Sequence, residues 1–203
     1  MRKTLLAAST MALALAIAGC GSKGSETAAS TENAVSNAAD DTGNAVSNAA
    51  SDVKEAVTPT PTGQEFADKA AKSDAFEIAA AKLAKKQAAS ADIKSFAAMM
   101  IEDHTASTAK IKSAAGKASP AITPDPTLTD DQNSKLADLG KLSGADFDKE
   151  YASQQVDAHK DALSLMTLYA DKGDVPSLKT AAGEIMPKVQ THLDKIKAIK
   201  DKL

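Results

Sequence analysis

The run "QEFADKAAKSDAFEIAAAKLAKKQAASADIKSFAAMMIEDHTAS", residues 64–107, decides the architecture. Phe66, Ala70, Ser73, Glu77, Ala80 and Ala84 recur at spacings of three and four, with Phe76, Ile78 and Leu83 flanking them. That periodicity marks one face of a helix. "ASAD" at 89–92 offers a break and an N-cap, and a second helix then puts Ile93, Phe96, Ala97, Met100, His104, Thr108 and Ile111 in register. The pair reads as an antiparallel hairpin with alanine-rich facing stripes. His104 occupies a core position, and the chain has only three histidines. With a turn near residues 90 and 91, Glu77 and His104 both lie roughly 20 Å down the bundle. They are expected to face each other.

Downstream, "GKASPAITPDP" at 116–126 ends the second helix, because its three prolines cannot continue one. "TDDQNSKLADLG" reads as a short helix from Thr129 to a cap at Gly140. A long helix follows from about Ala145 to Gly173. A last one runs from about Pro176, carrying Leu178, Ala182, Ile185, Val189, His192, Ile196 and Ile199, with a kink expected at Pro187. No stretch alternates as a strand does. The expected fold is all-α, a four-helix bundle with a short extra helix in the long connection between helices 2 and 3.

Upstream the character changes. Residues 21–63 are mostly Ala, Ser, Asn, Thr, Asp and Gly, without leucine or aromatics, and "AVSN" recurs eleven residues apart at Ala34 and Ala45. Such a segment buries too little apolar surface to offset its ordering entropy. It is expected to be a disordered tether reaching roughly 35 to 40 Å on average. Before it stand Arg2, Lys3, an apolar run over residues 5–18, and Cys20, the single cysteine. The run is shorter than the ~20 apolar residues of a membrane span. Ile17-Ala18-Gly19-Cys20 resembles the bacterial lipobox. That resemblance implies a signal peptide over 1–19, acylation of Cys20, and anchoring to a bacterial membrane by lipid. Gly21 in place of an aspartate favours the outer membrane, facing the periplasm. The domains are then the signal peptide at 1–19, the lipidated cysteine and tether at 20–63, and the bundle at 64–203.

"FADKAAKSDAFEIAAAKLAKKQAASADIKSFAAMMIEDH" together with "LSGADFDKEYASQQVDAHKDALSL" and "LKTAAGEIMPKVQTHL" resembles the bacterial domain-of-unknown-function family 4142. The resemblance implies a ferritin-like bundle and an envelope location. It implies no established reaction.

Chemistry is concentrated in the histidines. His104, His159 and His192 fall on three different helices near mid-bundle, with Glu77 on the fourth and Gln155 one turn before His159. About 7 Å of rise separates His159 from His192 if the second hairpin turns at Gly173. Two readings stay open: a hydrogen-bonded polar cluster that specifies helix register, or a site for one zinc, copper or iron ion. A dinuclear carboxylate centre needs Glu-x-x-His, and the residues three before the histidines are Ile101, Val156 and Val189. Asp103, Asp157 and Asp194 are expected in solvent, since their offset turns them from the adjacent histidines. Asp146, Asp148 and Glu150 read as first-turn acids favouring the helix dipole.

Without Arg2 and Lys3, 22 basic residues face 27 acidic ones, and only six residues are aromatic. That balance argues against a nucleic-acid partner. No nucleophile elbow or phosphate loop points to an enzyme. The leading expectation is a lipid-anchored envelope protein acting in interaction or envelope maintenance, with its protein partner unidentified. The alternative is a metal-binding or redox-stress protein using the core cluster. Cys20→Ser should move the protein out of the membrane fraction of fractionated cells, whereas unchanged partitioning would remove the anchor.

Overall fold

The computed structural model describes residues 59–203. The expected signal peptide, Cys20 and most of the tether lie outside them. Five helices follow one another: α1 (Gly63–Gln87), α2 (Ala91–Ala115), α3 (Asp130–Leu139), α4 (Gly144–Lys172) and α5 (Pro176–Lys200). Their starts follow local chemistry. Thr62 and Glu65 form a capping box on α1, Thr129 and Gln132 form another on α3, and the Ser90 hydroxyl accepts from the Ile93 amide at the head of α2. At the end of α4 only glycine fits at position 173: a Cβ there would stand 2.6 Å from the Tyr169 carbonyl oxygen. α5 runs through Pro187 as one helix.

α1 pairs with α2 and α4 with α5 as two hairpins, and the hairpins meet through α1 on α4 and α2 on α5. The long connection fixes their relative direction. It climbs the outside of α1: Gln64 donates to the Thr123 carbonyl, Lys72 pairs with Asp125 at 2.5 Å, and Gln132 donates to the Lys72 carbonyl. At the top, the Gln87 amide donates to the carbonyls of Gly140 and Leu142. α4 therefore starts where α1 ends and runs antiparallel to it. This is the single-crossover, ferritin-like arrangement of four helices, with α3 as the extra helix.

The apolar interior falls into two parts. One, near the α1–α2 turn, gathers Ala80, Ala84, Ile93, Phe96, Met100, Phe147, Tyr151, Leu193 and Ile196. The other, near the α4–α5 turn, gathers Phe66, Ala70, Ile111, Met166, Tyr169, Leu178, Ala182 and Ile185. Phe66 stacks on Tyr169 there, with ring centroids 3.9 Å apart. On every long helix a buried polar residue interrupts the stripe between these parts: Asp74 and Glu77, His104, Gln155 and His159, and His192. Among the described residues no helix is long and apolar enough to cross a membrane.

One first-turn acid departs from expectation. Asp148 is buried, and its carboxylate accepts from the backbone amides of Ala89 and Ser90, 3.2 and 2.8 Å away. It closes the α1–α2 turn from the other hairpin instead of facing solvent, because the connection delivers the head of α4 to that turn. Charged acceptors on otherwise unpaired amides are worth about 1.5 to 3 kcal/mol each. Asp148→Ala should lower unfolding free energy by roughly 2 to 4 kcal/mol in a denaturant titration, and a change below about 0.5 kcal/mol would fit a surface role instead.

Candidate metal centre

The register of each hairpin sets who meets whom at mid-bundle. Asp74 lies thirteen residues before the end of α1, and His104 thirteen residues after the start of α2. They are level, and His104 Nδ1 donates to Asp74 Oδ1 at 2.7 Å. Thr108 Oγ1 donates to the other oxygen of Asp74 at 3.0 Å. The expected Glu77–His104 pairing is therefore corrected. The turn is centred on Ala89, not on residues 90 and 91, and that shift exchanges Glu77 for the acid one turn earlier.

In the second hairpin the turn is Gly173–Val175. His159 lies thirteen residues before the end of α4 and His192 sixteen after the start of α5. The remaining offset is about 4.5 Å of rise, less than expected, and side-chain length spans it. The three imidazoles form a nearly equilateral triangle, with ring centroids 5.9, 5.7 and 5.5 Å apart. All three are buried.

Hydrogen bonds orient each ring. His159 Nδ1 donates to the Gln155 carbonyl at 2.8 Å, and His192 Nε2 donates to Asp103 Oδ2 at 2.8 Å. With Asp74 on His104, each partner is a carboxylate or a carbonyl, which can only accept. The proton on each neutral ring is thereby assigned to the bonded nitrogen, and the opposite nitrogen presents a lone pair. Those opposite nitrogens, His104 Nε2, His159 Nε2 and His192 Nδ1, are buried and have no hydrogen-bond partner. The three histidines can bring one ligand atom each to within 4.8 Å of one another. Three acceptors thus converge without a donor. An acceptor on the far nitrogen is the arrangement that fixes metal-binding imidazoles.

Electrostatics act in the same direction. Burial pushes His159 down to about 3 and lowers His192, so both rings are neutral near pH 7. Burial also disfavours a charge on His104, but the Asp74 hydrogen bond and the charges of Glu77, Asp74 and Asp103 outweigh it and raise its pKa. His159 and His192 are thus neutral, and the carboxylates around His104 favour one positive charge in this space.

Glu77 is not among the side chains whose ligand atoms converge within 4.8 Å, and it pairs with Gln155. Gln155 Nε2 donates to Glu77 Oε2 at 2.5 Å, while Glu77 Oε1 and the buried Tyr151 hydroxyl are unpaired. Gln155 thus holds His159 through its carbonyl and Glu77 through its amide. Asp103 is a second correction. It does turn away from His104 on its own helix, but toward His192 on α5. Asp157 and Asp194 are exposed as expected. Asp74 was not anticipated; its signal is a buried-face aspartate equidistant with His104 from the true turn.

Residues 48–199 match Domain of unknown function (DUF4142), and the chain belongs to that family. CopM in the Cu(I)-bound form is similar over 70% of this chain and 97% of its own, at 17% identity and a TM-score of 0.58. CopM in the Cu(II)-bound form is similar over 71% and 99%, at 17% identity and a TM-score of 0.59. At that identity the likeness is one of fold. No curated protein matches the chain.

Burial holds the Glu77 carboxyl at about 7, against the opposing pull of His104 and the Gln155 amide. The folded chain therefore keeps a proton that the unfolded chain releases above about 4.5, and Glu77 costs stability as pH rises from there toward 7. Metal-free Glu77→Gln should gain on the wild type by roughly 2 to 3 kcal/mol between about pH 5 and 7, read from urea midpoints. A pH-independent difference would contradict the assignment.

Proposed function

We propose that this DUF4142 domain holds one transition-metal ion between His104, His159 and His192, as a metal-binding protein of the bacterial envelope. The observation that carries the reading is the convergence of three buried, donor-free imidazole nitrogens. A hydrogen-bonded polar cluster accounts for them poorly. The rings do not bond one another or Glu77, and a single water has two hydrogens for three acceptors. Each unsatisfied buried acceptor costs about 1 to 3 kcal/mol. A cation satisfies all three at once.

Neutral imidazoles suit zinc, copper and iron. The fold shared with CopM in its two copper-bound forms supports copper as the first ion to test. His104 and His159 would bind through Nε2 and His192 through Nδ1. Asp74, the Gln155 carbonyl and Asp103 would hold the rings and raise their basicity. The bound ion would supply a buried positive charge and, for copper, a one-electron couple. Glu77, beside the triad, is proposed as a charge-balancing neighbour.

The envelope part of the proposal rests on the lipobox-like Ile17–Cys20 run. On that reading the protein is a periplasm-facing lipoprotein of the outer membrane.

Protein purified without chelator should carry metal near one ion per chain by elemental analysis. His104→Ala, His159→Ala and His192→Ala should each abolish it, while circular dichroism reports an intact helical fold. Sub-stoichiometric metal that dialyses away freely would refute the proposal.

A further inference from the structure

The triad is buried, so an ion must reach it through the protein. A cleft bounded by all four long helices leads to it. Of its lining residues Lys188 is exposed and Ser73 and Ser107 are half-buried, whereas Asp74, His104 and His192 are buried. Its remaining walls are largely apolar, from Ala70, Ala162, Leu165, Met166, Ile185 and Val189. Two carboxylates line this cleft. Asp74 is buried, and both its oxygens are engaged, by His104 and Thr108.

Asp103 differs. Its side chain is 19% exposed, and its Oδ2 accepts from His192 at 2.8 Å. Its Oδ1 has only an ion pair, 3.4 Å from the Lys188 ammonium, and the Lys188 side chain is 56% exposed. One oxygen of Asp103 is thus committed to a ring of the triad. The other is paired only with the exposed Lys188 ammonium. At 3.4 Å and with its ammonium in solvent, the pair is close to the exposed pairs worth ~0–1 kcal/mol, so an incoming ion can displace Lys188 at little cost.

We infer that Asp103 is an outer capture position for the metal cation, from which it passes to His192 and the triad, and that Lys188 governs access to it. This rests on the metal-binding reading of the triad. An incoming cation replaces the Lys188 ammonium at Oδ1, so the carboxylate keeps a positive partner while the ion sheds water. It then moves inward to the His192 Nδ1 lone pair on the ring that Asp103 already orients. Without a cation, the ammonium caps the mouth and repels further positive charge.

The test is the association rate of Cu(II), followed by stopped-flow absorbance on the metal-stripped full chain, with Zn(II) in competition with a chromophoric chelator as a second probe. Lys188→Met should bind about 3- to 10-fold faster than the wild type at low salt, with the difference shrinking as salt rises. Lys188→Arg should match the wild type. Asp103→Asn should bind more slowly and, because it also orients His192, about 10- to 100-fold more weakly. Equal association rates for the wild type and Lys188→Met, with one-to-one binding intact, would overturn the capture position and leave the triad standing. A wild type that takes up neither ion would overturn both.

Discussion

Three imidazole nitrogens that each need a positive partner share one buried space, and the rest of the bundle is arranged around that constraint. Leaving three acceptors dry would cost on the order of 3 to 9 kcal/mol, comparable to the whole net stability of a domain, about 5 to 15 kcal/mol. Such a centre survives only where the surrounding structure is over-determined. Here the Asp74–His104, Asp103–His192 and Gln155–His159 contacts lock the rings. Phe96 packs near His159 and His192, with ring centroids 6.3 Å from each. The apolar parts on either side exclude the solvent that would otherwise satisfy the nitrogens.

Much of this was readable in the sequence. The stripes of alanine, isoleucine and phenylalanine place every long helix, and the break at 89–92, Thr129, Gly140 and Gly173 mark helix ends. The histidines were identifiable as a set because they fall at mid-helix on core faces. What stayed hidden shares one cause. Periodicity says which face of a helix is buried, but not which neighbour it meets or at what height. Asp74 was missed because displacing the turn by about one and a half residues shifts the facing pair by roughly one helical turn. Asp103 was misassigned because its partner comes from α5, not from its own helix. Asp148 looked like a first-turn acid because the amides it serves belong to the other hairpin.

The same comparison separates two roles for buried charge. Asp148 is a structural acceptor that satisfies backbone donors and leaves nothing open. Asp74 and Asp103 each neutralise a ring edge and direct the opposite edge inward. A carboxylate bound to backbone amides stabilises a turn, whereas one bound to an imidazole fixes the orientation of the ring. Glu77 belongs to neither group. It lies beside the triad with one oxygen held by Gln155 and the other open, a reserve of negative charge that a cation nearby would draw upon.

The split of the triad between the two hairpins has a mechanical consequence. His104 belongs to the first hairpin, and His159 and His192 to the second, so an ion among them is a cross-link between separate halves of the chain. The single cysteine lies far from the bundle in sequence, and the domain has no disulfide with which to join those halves. A reversible ionic rivet would take that place, closing the 55-residue span from His104 to His159 and making the cohesion of the two hairpins depend on metal supply.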